Sequence, residues 1–248
     1  MDFKTYKQKF KEDGYFIIKN ALTHDALISI QNECDRLVAI EKNKNLENQE
    51  ITNINKVDRY FIKEWTPENQ PLTDFLFSKV MSDICLNILG DNAQLFYEQF
   101  VVKGPERGGA FGWHQDSGYV GFDHEPYLSC WVALDDINEE NGTIYVLPNS
   151  HGFNKTMQNH SRDKTGDNIG YKGNEIGIPA IVKAGDIVCF SSLTLHRSGF
   201  NTSKKFRRAY LAQYSATPII LPDGSGPHAL AEPILINGKR VYEAALSN

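Results

Sequence analysis

From residue 94 onward the sequence stops reading in helical periods and breaks into short apolar runs separated by Gly, Pro and Asn. Gln94 to Lys103, Leu128 to Leu134, Thr143 to Leu147, Ile187 to Ser191 and Arg208 to Thr217 carry the β-branched and aromatic residues that suit a pleated surface. Strands this short and this evenly spaced cannot each bury a face alone; they close into a sandwich or barrel. The residues before 94 read differently. Phe3, Tyr6 and Phe10 stand at helical spacing, which predicts a short helix over 3–12 that Gly14 stops. Tyr15 to Ile18 reads as a strand. Thr23 is a candidate N-cap for a long helix through about residue 42, with Ala26, Leu27, Ile30, Cys34, Leu37 and Val38 as its apolar stripe. The Asn-, Lys- and Glu-rich stretch 43–56 reads as a connection, Arg59 to Ile62 as a strand, and Leu72 to Leu89 as one or two helices ending at Gly90.

The expected fold is mainly β with flanking helices. A helical third over about 1–93 buttresses a β core over about 94–248, in a single domain of 248 residues. No internal repeat is visible. The polar, glycine-containing stretch 149–178 is too long for an ordinary connection and reads as a functional lid or a disordered insert, with part of it expected to act as a cover that orders only with substrate.

The net charge of -5, with both signs interspersed and no basic stripe, argues against nucleic acid as a partner. Lys204 to Arg208 is the densest basic cluster and reads as a turn leading into a strand. Cys34, Cys85, Cys130 and Cys189 form no Cys-x-x-Cys pair, and three sit in apolar contexts, so buried free thiols are expected. The first residues lack a signal-peptide core and no apolar run is long enough to cross a bilayer. A soluble cytoplasmic protein with no membrane partner is therefore expected; oligomeric state is left open.

The chemistry concentrates in Gly112-Trp113-His114-Gln115-Asp116-Ser117-Gly118-Tyr119. On a strand, residues i and i+2 share a face, so His114 and Asp116 can reach one point. An imidazole and a carboxylate make two corners of the facial triad that holds non-haem Fe(II) and leaves positions open. His196 is the candidate third corner, and Arg207 follows it by eleven residues. An arginine there can form a bidentate pair with a carboxylate, which points to a metal-bound acid such as 2-oxoglutarate as cosubstrate. Arg207 and Arg208 are neighbours, so on a strand one faces inward and the other outward. Either histidine taken singly also reads as a core histidine satisfied by hydrogen bonds.

These residues carry a family likeness. Trp113-His114-Gln115-Asp116 with Tyr119, Asn141-Gly142-Thr143-Ile144-Tyr145-Val146-Leu147-Pro148-Asn149-Ser150-His151, Ala184-Gly185-Asp186, and His196-Arg197-Ser198-Gly199-Phe200-Asn201-Thr202-Ser203 ahead of Arg207 stand in one order. In this the sequence resembles the phytanoyl-CoA dioxygenase family of Fe(II)- and 2-oxoglutarate-dependent oxygenases, from the Gly14-Tyr15 strand to about Tyr214. The resemblance implies a double-stranded β-helix, or jelly roll. It implies His114, Asp116 and His196 as iron ligands, and Arg207 with Ser198 on the distal carboxylate of 2-oxoglutarate. It places Trp131 beside the cosubstrate and suggests Gln99 and Lys56 as further contacts. O2 is the implied co-oxidant, with ascorbate as a supporting reductant.

The implied reaction oxidises an unactivated C–H bond of a small metabolite, by hydroxylation, desaturation or ring closure, and releases succinate and CO2. A small residue in place of the carboxylate marks halogenases of this kind, so Asp116 disfavours halogenation. Phe111, Tyr119 and Phe190 are candidate substrate contacts, each equally readable as core. His151 is read as structural, and Asn141-Gly142 as turn chemistry. The rival reading is a non-catalytic cupin-like binding or sensor protein, which predicts a broken metal set. A jelly-roll enzyme using another metal has no need of a carboxylate clamp.

Overall fold

The structure is a computed structural model that describes residues 1–47, 58–106, 108–152 and 157–242. Helix α1 (Phe3–Asp13) is capped by the Asp2 side chain and stopped by Gly14, whose φ of 82° suits a residue without Cβ. Strand β1 (Tyr15–Ile18) follows, then α2 (His24–Glu47), β2 (Arg59–Ile62), α3 (Gln70–Leu76) and α4 (Lys79–Ile88). The β region comprises β3 (Ala93–Lys103), β4 (Phe111–His114), β5 (Leu128–Ala133), β6 (Ile144–Val146), β7 (Ser161–Arg162), β8 (Asn168–Ile169), β9 (Ile178–Pro179), β10 (Ile187–Ser191), β11 (His196–Ser198), β12 (Arg207–Ser215), β13 (Glu232–Ile236) and β14 (Lys239–Arg240).

Two points depart from the sequence reading. Helix α2 continues to Glu47, into the stretch read as a connection, where Glu and Lys are good helix formers. The segment after 149 is not structureless: the described part holds a 3-10 turn at Ser150–Gly152 and the short strands β7, β8 and β9.

A large sheet runs β1-β10-β5-β12-β3-β13-β14, with β2 also on β3; a small sheet runs β4-β11-β6-β9; and β7 and β8 pair as a two-stranded sheet of their own. Strand parity in the large sheet sorts its residues. Phe16, Ile18, Tyr60, Ile62, Phe100, Val102, Leu128, Cys130, Val132, Tyr210, Ala212 and Tyr214 face one way and are buried with Ile30, Cys34 and Leu37 of α2, Leu72 and Phe75 of α3, and Met81 and Ile84 of α4. Each Val, Leu, Ile, Phe or Met among them contributes about 1.5–3 kcal/mol by leaving water. The alternate residues, including Trp131, Ala133, Val188, Phe190, Ala209 and Leu211, face the small sheet and pack against Ile144 of β6. The helices thus stiffen the outer face while the inner face is free to carry a site. All four cysteines are buried free thiols on the helix-packed side.

Candidate active site

The site begins where the small sheet brings two histidines side by side. His114 ends β4 and its antiparallel partner on β11 is His196. Asp116 does not lie on the strand, as the spacing suggested; it opens a 3-10 turn over Asp116–Tyr119. Gln115 stays extended (φ -113°, ψ 140°), so the two-residue parity still turns His114 and Asp116 toward one point. Asp116 Oδ1 lies 3.4 Å from His196 Nε2 and 3.9 Å from His114 Nε2. Among the described residues, these three side chains form the cluster that could hold a metal ion, with one donor atom from each within 4.8 Å of the others.

Their surroundings fix which atoms face that point. His114 Nδ1 meets the Gly112 carbonyl at 2.8 Å and His196 Nδ1 meets the Thr194 carbonyl at 3.0 Å. A carbonyl only accepts, so each Nδ1 carries the proton and each Nε2 offers a lone pair. Burial, with His196 beside it, holds the His114 imidazole well below its ordinary pKa and keeps it neutral. Asp116 Oδ2 accepts from Ser129 Oγ and, at 2.8 Å, from Gln213 Nε2, which leaves Oδ1 to the cluster. Gln115 anchors the turn: its Nε2 donates to the Leu193 carbonyl, its backbone N–H to His160 Nε2, and its Oε1 accepts from the Gln158 N–H. The donor set fits one ion with neutral imidazoles and a single carboxylate, the combination that suits Fe(II).

The cluster opens on a cavity of about 460 Å3. Arg207 forms part of its wall and is 1% exposed. Its guanidinium sits 5.5 Å from the Trp131 ring centre and donates to the Val101 carbonyl, while its Nε has no hydrogen-bond partner among the described residues. Burial pulls its pKa down to about 10. A buried guanidinium with an orphaned donor calls for an anion, so the residues present also fit a carboxylate-bearing cosubstrate. Arg208 faces the other way and pairs with Asp135 and Asp35.

Ser198, Gln99, Trp131, Phe111, Tyr119 and Phe190 all line the same cavity. Phe190 packs on the His196 ring at 4.6 Å and Tyr119 meets His114 edge-on at 5.8 Å. Lys56 lies outside the described residues. His151 is remote from the cluster and contacts the Lys11 carbonyl, a structural place.

Other residues escaped the sequence reading. Gln213 and Ser129 hold the carboxylate ligand. Arg59 (0% exposed) forms an ion pair with Asp167 at 2.8 Å and stacks over Phe111 at 3.7 Å, tying the 157–178 segment to β2. Lys103 (0% exposed) donates to Ser198 Oγ at 2.8 Å and to the Gly199 carbonyl. Period-two counting forward from Arg207 along β12 reaches Gln213, whereas Lys103 faces the site through its pairing with Arg207 across β3; nothing local marks Asp167.

The sequence profile of the family described as Phytanoyl-CoA dioxygenase (PhyH) matches residues 10–209. The chain belongs to the phytanoyl-CoA dioxygenase family. Within that family it is 25% identical over 230 residues to human peroxisomal phytanoyl-CoA dioxygenase, covering 84% of this chain and 66% of the relative. The chain thus spans slightly less than two thirds of that relative's length. It is 26% identical over 229 residues to 2-aminoethylphosphonate dioxygenase of uncultured bacterium HF130_AEPn_1, covering 87% and 83%. The fold is shared with the epimerase SnoN, solved with Fe3+, alpha ketoglutarate and nogalamycin RO, at a TM-score of 0.69, 17% identity, and 95% and 96% coverage. The two facing sheets are the jelly roll expected of the phytanoyl-CoA dioxygenase family. That membership and this His-Asp-His cluster, beside a buried arginine in one cavity, are what a functional reading has to account for.

Proposed function

We propose that the protein oxidises an unactivated C–H bond of a small metabolite, by hydroxylation or by desaturation or ring closure. In the hydroxylation form, substrate, O2 and 2-oxoglutarate yield alcohol, succinate and CO2. The observation that carries the reading is the pairing, in one cavity, of a complete His114-Asp116-His196 cluster with the anion-seeking Arg207. Bound iron and 2-oxoglutarate would supply the oxidising chemistry.

The chain's own residues account for the rest. His114, Asp116 and His196 would hold the ion on one side and leave the cavity side open. Ser129 and Gln213 keep Asp116 from turning. Arg207, with Ser198, would hold the distal carboxylate, and Trp131 forms the wall beside them. The segment 157–178 reaches the cavity wall at Asp167 and is tied down by Gly170 N–H on the Trp113 carbonyl and Asp167 on Arg59; as a cover it would exclude water during turnover. Phe61, Phe96, Tyr97, Val120 and Tyr127 line the cavity with apolar surface. A cavity of this volume suits a small, largely apolar molecule. The rival, a non-catalytic binding protein, gives no reason to keep all three ligands together with a buried arginine whose Nε has no hydrogen-bond partner among the described residues.

The test is stoichiometric. Protein supplied with Fe(II), O2, ascorbate and a metabolite panel should consume 2-oxoglutarate and release an equal amount of succinate. The Asp116→Ala variant should release none. Equal succinate from both would sink the reading.

A further inference from the structure

The register of the large sheet places three cations on one rung. Arg59 of β2 pairs with Lys103 of β3, and Lys103 pairs with Arg207 of β12. Residues paired across neighbouring strands share a face, so all three side chains point inward. All three are buried, at 0%, 0% and 1% exposure. Like charges placed directly opposite one another destabilise a sheet. Asp167 offsets Arg59. The described partners of Lys103 are neutral: the Ser198 hydroxyl and the Gly199 carbonyl. Arg207 has the Val101 carbonyl and the Trp131 ring. Burial, with Arg207 and Arg59 beside it and Asp167 opposing them, holds the Lys103 pKa well below its ordinary value, so an anion seated against this rung is what would keep Lys103 and Arg207 charged together.

The direction of one hydrogen bond adds to this. Lys103 Nζ donates to Ser198 Oγ, and the ammonium form that an anion would favour cannot accept, so Ser198 Oγ spends a lone pair on Lys103. Its own hydrogen is thereby free to point into the cavity that both Ser198 and Arg207 line.

We infer that Lys103 is a positioning residue for the 2-oxoglutarate site: it turns the Ser198 hydroxyl onto the distal carboxylate and, with Arg207, supplies the positive charge that selects an acid bearing that carboxylate. The inference rests on the cosubstrate reading above. A 2-oxo acid of the same length without the distal carboxylate, 2-oxovalerate, leaves both cations unanswered and gains nothing from Lys103.

The test is calorimetric titration with Mn(II) in place of iron, so no turnover intervenes, using 2-oxoglutarate and 2-oxovalerate. Lys103→Met keeps the length and apolar stem without the donor. It should weaken 2-oxoglutarate by about ten- to a hundredfold, the effect of losing a charge-assisted hydrogen bond, and leave 2-oxovalerate unchanged. Lys103→Gln keeps an N–H for Ser198 and should recover part of the loss; it also stands in should the Met variant not fold by circular dichroism. The Lys103→Met/Ser198→Ala double variant should be no worse than Lys103→Met, since both act through one hydroxyl. Equal weakening of both acids would make Lys103 structural and overturn the assignment, as would no change in either. Wild-type protein that binds neither acid would instead overturn the cosubstrate reading, and this assignment with it.

Discussion

Arg207 and Arg208 show how much one register position decides. They are adjacent on β12, yet one guanidinium is sealed against Trp131 and the other is shared between Asp135 and Asp35. Arg207→Lys keeps the charge and loses the planar fork, so it should weaken 2-oxoglutarate by roughly one to two powers of ten. Arg208→Lys should leave that affinity alone and cost at most about 1 kcal/mol of stability, since part of its pairing is at the surface. Dissociation constants for both variants at fixed metal check this; the reverse ranking would assign the clamp to the wrong arginine. At this scale the sequence was informative about His114, Asp116, His196, Arg207 and Ser198, because motif spacing marks them. It was silent about Asp167, which reaches the cavity wall through a turn of its own, held by Asp163 and Thr165.

Among the elements, strand length separates what could be read from what could not. β3 is 11 residues long and largely alternates between buried and half-buried positions, and β12 is 9 residues long and buried along almost its whole length. β4 and β11, which carry the two histidines, are 4 and 3 residues long and exist through their pairing with each other, not through local propensity. The same holds for β7 and β8, inside the stretch expected to be a lid. That stretch is fastened by the Arg59–Asp167 pair and by His160 on the Gln115 N–H. Asp167→Asn keeps the shape and removes the charge from beside a buried guanidinium, which is among the costlier changes available to a protein. It should loosen the cover selectively. Limited proteolysis is expected to cut within 157–178 several times faster in the variant, with 2-oxoglutarate and metal slowing the cut in the wild type. Unchanged cleavage in the variant would show that the ion pair does not hold the cover.

For the whole molecule, the helices, large sheet and small sheet form a stack whose inner face is polar at its centre. Two imidazoles, one carboxylate and the Arg59-Lys103-Arg207 rung are buried there. Such a face gains most of its compensation when metal and cosubstrate arrive. Free cosubstrate at a hundred times its dissociation constant, with Mn(II), should stabilise the fold by about 2.7 kcal/mol. In a chain of this size that raises Tm by roughly 5–10 °C. The rise should vanish in His196→Ala, and its persistence there would place the ligand elsewhere.

The most direct test is an anaerobic titration of Fe(II) and 2-oxoglutarate, watched for the metal-to-ligand charge-transfer band that appears when the keto acid chelates iron. The account predicts a saturable band at one equivalent in the wild type, a right-shifted 2-oxoglutarate isotherm in Arg207→Lys, and no band in folded Asp116→Ala. A band of undiminished intensity in Asp116→Ala, or none in the wild type, would contradict it.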